Sequence, residues 1–412
     1  MIKLALPFLI FAPLLTLLMF GSNILGFALS PSHFLLLLAI AFALTLIFSR
    51  FLPSINPPLV KKRDSLSRFL LVFLITLSAA VLINDLYKIV GEWDALTLYD
   101  FRALRIVETT SIVEAAKIQG SYFYSYPLFT SLLHSATYLL GATSPMLVYG
   151  LLFVAFLTVF YTILTERVGD KFALVGTTLT VFAPHLFWHA QIAYTNLSYT
   201  IYLVLGALFI LRGKDKGDSS AVLGMFFTGA SLWVRSVEPF WLGNLALFLL
   251  IYLPKFRLKA LSLGILVFYP LQQLWKRYIT AMSHPVGSAI GQIEGTVQTV
   301  ASTVVAPSAT ALFVETMSFF TSSIIKPYAP VLFLFFIAIL IQFYMHRLDL
   351  YLIWLVLVDL AIAFIGTYMF AITQSYWREI PGSLERMMMF ISPLIIYIFI
   401  TTMKDSNNKH DY

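Results

Sequence analysis

The chain has 412 residues, of which 59% are apolar and only 11% charged, with a formal net charge of +7 and no cysteine. So little charge cannot cover a water-soluble surface, so lipid must solvate much of the chain; without cysteines, disulfides, thiolate metal sites and cysteine nucleophiles are excluded. The positive balance is not a nucleic-acid signature, because the basic residues are scattered among short loops and form no patch.

The first apolar run, Leu4 to Phe20 behind Lys3, is long for the core of a signal peptide and is followed by more of its kind, so it reads as an uncleaved first helix. Apolar runs predict spans at roughly 4–28, 33–52, 68–90, 146–166, 171–190, 194–212, 220–236, 237–254, 259–277, 327–345, 349–373 and 387–403. Alternating them gathers Lys3, Arg50, Lys61, Lys62, Arg63, Arg68, Arg167, Lys171, Arg212, Lys214, Lys216, Lys255, Arg257, Lys259, Arg347, Lys404 and Lys409 on one side. That is about 17 of the 27 basic residues, which makes this side cytoplasmic and puts both termini inside. Tyr126 to Gly141 is apolar but, at about 16 residues, short for the hydrocarbon core, and counting it would split the basic loops between the two sides. It reads as a helix lying at the outer interface, with Tyr126, His134 and Tyr138 near the headgroups.

The expectation is an all-α, polytopic membrane protein of about 12 transmembrane helices, a single domain over 1–412, with interfacial helices in the first external loop. The external loops are 91–145, 278–326 and 374–386. The middle one is rich in Ser, Thr, Ala and Gly and reads as a mobile lid or a poorly packed loop. Lys404 to Tyr412 read as a disordered tail, and no internal repeat is evident.

Chemistry-capable residues concentrate outside. Gly91-Glu92-Trp93-Asp94 opens the first loop, and Ala95 to Val107 contains no Gly or Pro and is rich in helix formers. Asp94 therefore sits where an N-cap belongs. On a regular helix Arg102 and Arg105 lie about 80° and 20° from it, giving one face with a carboxylate and two cations, while Asp100 points away. The last loop holds Arg378 and Arg386, whose guanidinium groups suit a phosphate; alternatively, Glu379 and Glu385 neutralise them. His185 and His189 have a spacing that binds metal when a further ligand joins them. Asp359 falls inside a span, where an acid is costly enough to be a functional candidate. Arg235 and Glu238 read as a structural ion pair.

The string Gly91-Glu92-Trp93-Asp94 after an early span, followed by Tyr126-Pro127-Leu128, resembles the GT-C superfamily of membrane glycosyltransferases, and more narrowly relatives of the aminoarabinose transferases and protein O-mannosyltransferases. Ala193-Tyr194-Thr195-Asn196-Leu197, Leu232-Trp233-Val234-Arg235-Ser236-Val237-Glu238 and Ser383-Leu384-Glu385-Arg386 come next, in the family's order. The resemblance implies transfer of a sugar from a polyprenyl-phosphate carrier to a glycan, lipid or protein acceptor on the outer, non-cytoplasmic face of the cell membrane. It implies Asp94 as the catalytic carboxylate that serves as general base or orients the acceptor, with Asp100 as the fallback. Arg378, Arg386, Lys276 and Arg277 become candidates for holding the phosphate, beside Arg102 and Arg105 of the first loop. No cofactor is fixed by it, and a divalent metal stays open. Two other readings remain: a transporter or flippase for lipid-linked saccharides, and a non-catalytic scaffold, since Asn196 stands where the family commonly has an acid.

Overall fold

The computed structural model describes residues 2–51, 55, 62–118, 126–216, 218–235, 239–255, 259–281, 309–373, 377–379, 382 and 385–407. Glu238, and the stretch 282–308 of the predicted middle loop, lie outside these residues, as does most of the predicted tail. Among the described residues every regular element is helical.

Three apolar helices open the chain: α1 (Ile2–Ile24), α2 (Pro31–Arg50) and α3 (Ser65–Tyr87). Ser30 and Asp64 cap α2 and α3, their side chains accepting from the His33 and Ser67 N–H groups. A π-helical stretch (Ala95–Asp100) then runs into α4 (Phe101–Thr109), followed by α5 (Ile112–Ile118) and α6 (Phe129–Leu139). Next come α7 (Met146–Val168), α8 (Asp170–Val181), α9 (Leu186–His189), α10 (Thr195–Lys216), α11 (Asp218–Val234), α12 (Trp241–Tyr252) and α13 (Lys259–Ala281). The described chain ends with α14 (Ala309–Phe319), α15 (Ala329–Tyr344), α16 (Leu350–Thr373) and α17 (Ser392–Asn407).

Seven helices among the described residues are long and apolar enough to cross a membrane: α1, α2, α3, α7, α10, the continuous run Thr310–Tyr344, and α16. The chain is a polytopic membrane protein. Helix α10 is its axis, with 94% of its apolar stretch buried, whereas α2 and α3 are mostly exposed and supply a lipid-facing side. Around α10 pack α7, α11 and α12, while α13 lies against α11. Lipid tails are as apolar as the side chains, so close packing must hold these helices together. Glycines permit it. A Cβ at Gly224 would sit 2.5 Å from the Ile210 backbone nitrogen, and one at Gly264 would collide with the Met225 carbonyl. Trp233 ties the cluster to α1, donating to Thr16 Oγ1 at 3.1 Å with its ring against Phe20.

Several predicted spans are divided or shifted. The expected span 171–190 breaks after Val181, because Pro184 disfavours helix before it and His185 takes a left-handed φ of 65°. The runs 220–236 and 237–254 become α11 and α12, shorter apolar helices separated at Pro239. The span predicted over 387–403 starts as a 3-10 turn (Arg386–Phe390), with α17 beginning only at Ser392. In the predicted middle loop, residues 309–326 are helical instead of loose. They contain no Gly or Pro, and their aromatic face packs Phe313 and Phe320 on Phe364. A π turn (Phe320–Ile325) and a 3-10 turn (Lys326–Tyr328) then absorb Pro327, whose missing N–H an unbroken α-helix could not accommodate.

Helix α6 also departs from expectation. It does not lie with His134 among headgroups: His134 is fully buried, and the helix packs on α1 and α4. Its apolar residues face protein.

Candidate functional site

The first-loop helix is held in place before it presents anything. Asn23, at the end of α1, accepts from the Ile112 N–H at 2.8 Å and donates to the Thr110 carbonyl at 3.3 Å, fixing the α4–α5 turn. On the other side, Ser135 donates to the Ala103 carbonyl. Asp100 is the centre of the anchoring. Its Oδ1 accepts from the Tyr138 hydroxyl at 2.6 Å and faces His134 Nδ1 at 3.1 Å, while His134 Nε2 meets the Tyr149 hydroxyl at 2.8 Å. Three elements, the first-loop helix, α6 and α7, thus share one buried polar chain.

Burial pushes the His134 pKa down, outweighing the hydrogen bond and charge of Asp100, which raise it. The imidazole is therefore neutral, with Nδ1–H donating to Asp100 and Nε2 accepting from Tyr149. Its folded pKa lies below the unfolded value, about 6.5, so the unfolded chain gains a proton first as pH falls, and stability is lost below about pH 6.5. His134→Gln is expected to lessen the drop in Tm between pH 7.5 and 5.5; an identical drop in the variant would assign the acid sensitivity to other groups.

Asp94 lies six residues before this anchor, within the helix and not at its cap. Its φ of −63° and ψ of −34° are helical, and its side chain makes no cap hydrogen bond. The groups that approach it come from far along the chain. Arg386 Nη2 lies 4.0 Å from Asp94 Oδ2, and the Arg386 guanidinium stands over the Tyr194 ring at 5.3 Å. Beside Arg386, Glu385 pairs with His185 at 3.1 Å. Below them Arg235 donates to Asn196 Oδ1 at 2.6 Å and to Thr195 Oγ1 at 3.1 Å, and Tyr99 closes the same corner against Thr195.

His189 sits under this group, fully buried, with both ring nitrogens lacking a partner among the described residues. Burial first, then the charges of Arg386, His185 and Arg235, hold its pKa well below the ordinary histidine value. Among the described residues no three of His, Asp and Glu are grouped to hold a metal ion; the metal expectation at His185 and His189 gains no third ligand. Glu385, the acid that reaches His185, could not be foreseen, because it lies two hundred residues away in the sequence.

The remaining sequence-derived candidates separate from this cluster. Arg102 and Arg105 do not share a face with Asp94, because each i→i+5 turn of the π stretch uses one more residue than an α turn and rotates the residues after it by ~100°. Arg102 is 1% exposed and donates to the Tyr126 carbonyl, a structural contact. Arg105 turns to Glu108 and the Phe101 ring. Arg378 stands over Trp377 and pairs with Glu315; the Glu379 side chain lies outside what is described. Lys276 is half-buried and Arg277 exposed on α13, and among the described residues neither is ion-paired with Asp94. Of the first-loop and last-loop candidates, the geometry unites Asp94 and Arg386.

Asp359 is 1% exposed on α16 with neither carboxyl oxygen bonded among the described residues, packed on Gly243 of α12. Asp85 on α3 is a second buried acid, beside Gly150 of α7 and with one oxygen unpartnered. No family model, curated protein or solved structure matches this chain.

Proposed function

We propose that the chain is a GT-C-type glycosyltransferase that moves a sugar from a polyprenyl-phosphate carrier to an acceptor hydroxyl or amine at the outer end of its helix bundle. The observation that carries the reading is the meeting of Asp94 and Arg386, nearly three hundred residues apart in sequence, beside the Tyr194 ring. In this reading Asp94 takes the acceptor's proton as its oxygen or nitrogen attacks the anomeric carbon, and the carbon–phosphate oxygen bond breaks on the opposite side. Arg386 meets the charge gathering on the departing phosphate with paired N–H donors. The exposed sides of α2 and α3 offer the carrier's tail a lipid-level approach. About twelve crossings, counting α13 and the shorter helices α8, α11, α12 and α17, would leave the basic loops and both termini cytoplasmic and the Asp94–Arg386 pair outside.

The test is transfer of labelled sugar from polyprenyl-phosphate donors by the purified chain. Arg386→Gln is expected to raise the KM for donor about tenfold or more, the loss of a charge-assisted contact. Arg378→Gln should leave it unchanged within about twofold, as befits an exposed pair. Equal effects from the two substitutions would take the phosphate role away from Arg386.

The buried acids Asp85 and Asp359 favour a second reading, a transporter for lipid-linked saccharides, since acids within spans mark transport pathways. Saccharide uptake by proteoliposomes without transfer would select it.

A further inference from the structure

Two cavities lie at the opposite end of the bundle. They adjoin, at about 450 and 410 Å³, and share Arg167, Lys214, Asp349 and Thr401 in their walls. Their depth is set by α10: Thr195 belongs to the Asp94–Arg386 cluster, and Lys214 is 19 residues on, ~28 Å along the axis, about the thickness of a bilayer's hydrocarbon core. The cavities therefore open at headgroup level on the side that carries the basic loops. They are built by the ends of α7, α10, α15 and α17 and the start of α16.

The charges around them are unequally committed. Arg212 is locked to Glu166 by two hydrogen bonds, at 2.8 and 3.1 Å, and both groups are largely buried. Asp349 caps α16, accepting from the Leu352 N–H. Two cations, Arg167 and Lys214, remain at the shared walls, and Arg347 lines the larger cavity alone. Lys214 lies over the ring of Tyr351, another residue of the cavity wall, at 4.5 Å. Arg167 has only a loose pairing with Asp215, 3.8 Å apart with both side chains more than half exposed. Arg347 is exposed and has no ion pair among the described residues. Asp405 and the Asp349 carboxyl keep the walls from being uniformly positive, and Thr401 lies between.

We propose that this paired cavity is a binding site for a phosphate group, gripped by Arg167, Lys214 and Arg347. Guanidinium and ammonium donors converging on a cleft between helices, at the depth of lipid phosphates, fit a phosphodiester headgroup or a soluble phosphate compound. The nearby carboxylates suit a headgroup that carries hydroxyl or amine donors beside its phosphate. The site stands about a bilayer's thickness from Asp94 and does not depend on the glycosyltransferase reading.

The experiment uses the full chain in phosphatidylcholine nanodiscs at about 0.1 M salt, where screening removes weak surface attraction, and follows Tm against added short-chain phosphatidylglycerol or inorganic phosphate. Saturable stabilisation of the wild type is expected with at least one probe. A response to phosphatidylglycerol alone assigns a lipid headgroup; a response to inorganic phosphate as well assigns a soluble phosphate compound. Lys214→Gln/Arg347→Gln should weaken half-saturation by at least about tenfold, the loss of two charge-assisted contacts. Lys404→Gln, which removes a nearby cation that stands over Phe172 outside the cavity, should respond as wild type. If the double variant does not fold, Arg347→Gln alone makes the same comparison, since it disturbs no ion pair among the described residues. The proposal is overturned if neither probe stabilises the wild type, or if the folded variant and wild type respond alike.

Discussion

Replacing Asp94 with asparagine is expected to lower the turnover of sugar transfer by about two to four orders of magnitude, the usual contribution of a positioned acid–base group, while leaving Tm almost unchanged. The two halves of that expectation come from different observations. Asp94 makes no cap hydrogen bond and its side chain is 44% exposed, so folding gains little from its charge. Arg386, its distant partner at 4.0 Å, keeps its place over the Tyr194 ring without it. The loss should therefore fall on kcat, with donor KM shifting little, because the phosphate's partner is untouched. Near-normal turnover in the asparagine variant would reduce Asp94 to a counter-ion for Arg386 and strengthen the transporter reading.

Hydropathy makes the long spans legible, since seven of them carry their apolar residues without interruption. It fails where proline changes the backbone without changing the composition. Pro184 cuts an apolar run that a sliding window joins, and Pro327 looks like a span's beginning although the helix passes through it. Residues 309–326 mislead for a different reason. Serine and threonine suggest a loop, but both tolerate a helix when their hydroxyls bond backward, as Thr316 does to Leu312 and Thr321 to Met317.

The candidate site is half legible in the sequence. Asp94 and Arg386 each stand out by chemical type, but their meeting depends on tertiary structure, as does the pairing of Glu385 with His185. The face expected to unite Asp94, Arg102 and Arg105 rests on a uniform 100° per residue, and the π stretch over Ala95–Asp100 removes that premise. No residue-type signal announces such a stretch. Asp100, the fallback catalytic acid, is better accounted for by Tyr138 and His134, which occupy its Oδ1. Its exposure of 6% leaves little access for an acceptor. The burial of His134 is not legible, because an apolar 16-residue run looks the same whether lipid or protein covers it.

Gly224→Val is expected to destabilise the chain by about 3 kcal/mol, the upper part of the usual range for overpacking, and to show as a large fall in Tm and in the yield of folded protein. The neighbour that decides the magnitude is backbone: the new Cβ would stand 2.5 Å from the Ile210 nitrogen, and no side-chain rotation relieves that contact. Helices α10 and α11 would have to separate. Their separation reaches the Asp94–Arg386 cluster, since Arg235 comes directly after α11 and holds Asn196 and Thr195 at the start of α10. The surviving folded fraction should accordingly lose activity, though Gly224 is remote from Asp94 in sequence and touches no proposed substrate group. Gly91→Ala is the control, because a Cβ there meets nothing within 4 Å, and it should match wild type. Equal stability in Gly224→Val and Gly91→Ala would mean that α10 and α11 stand farther apart than this packing requires, and that a lipid or another helix shares the interface.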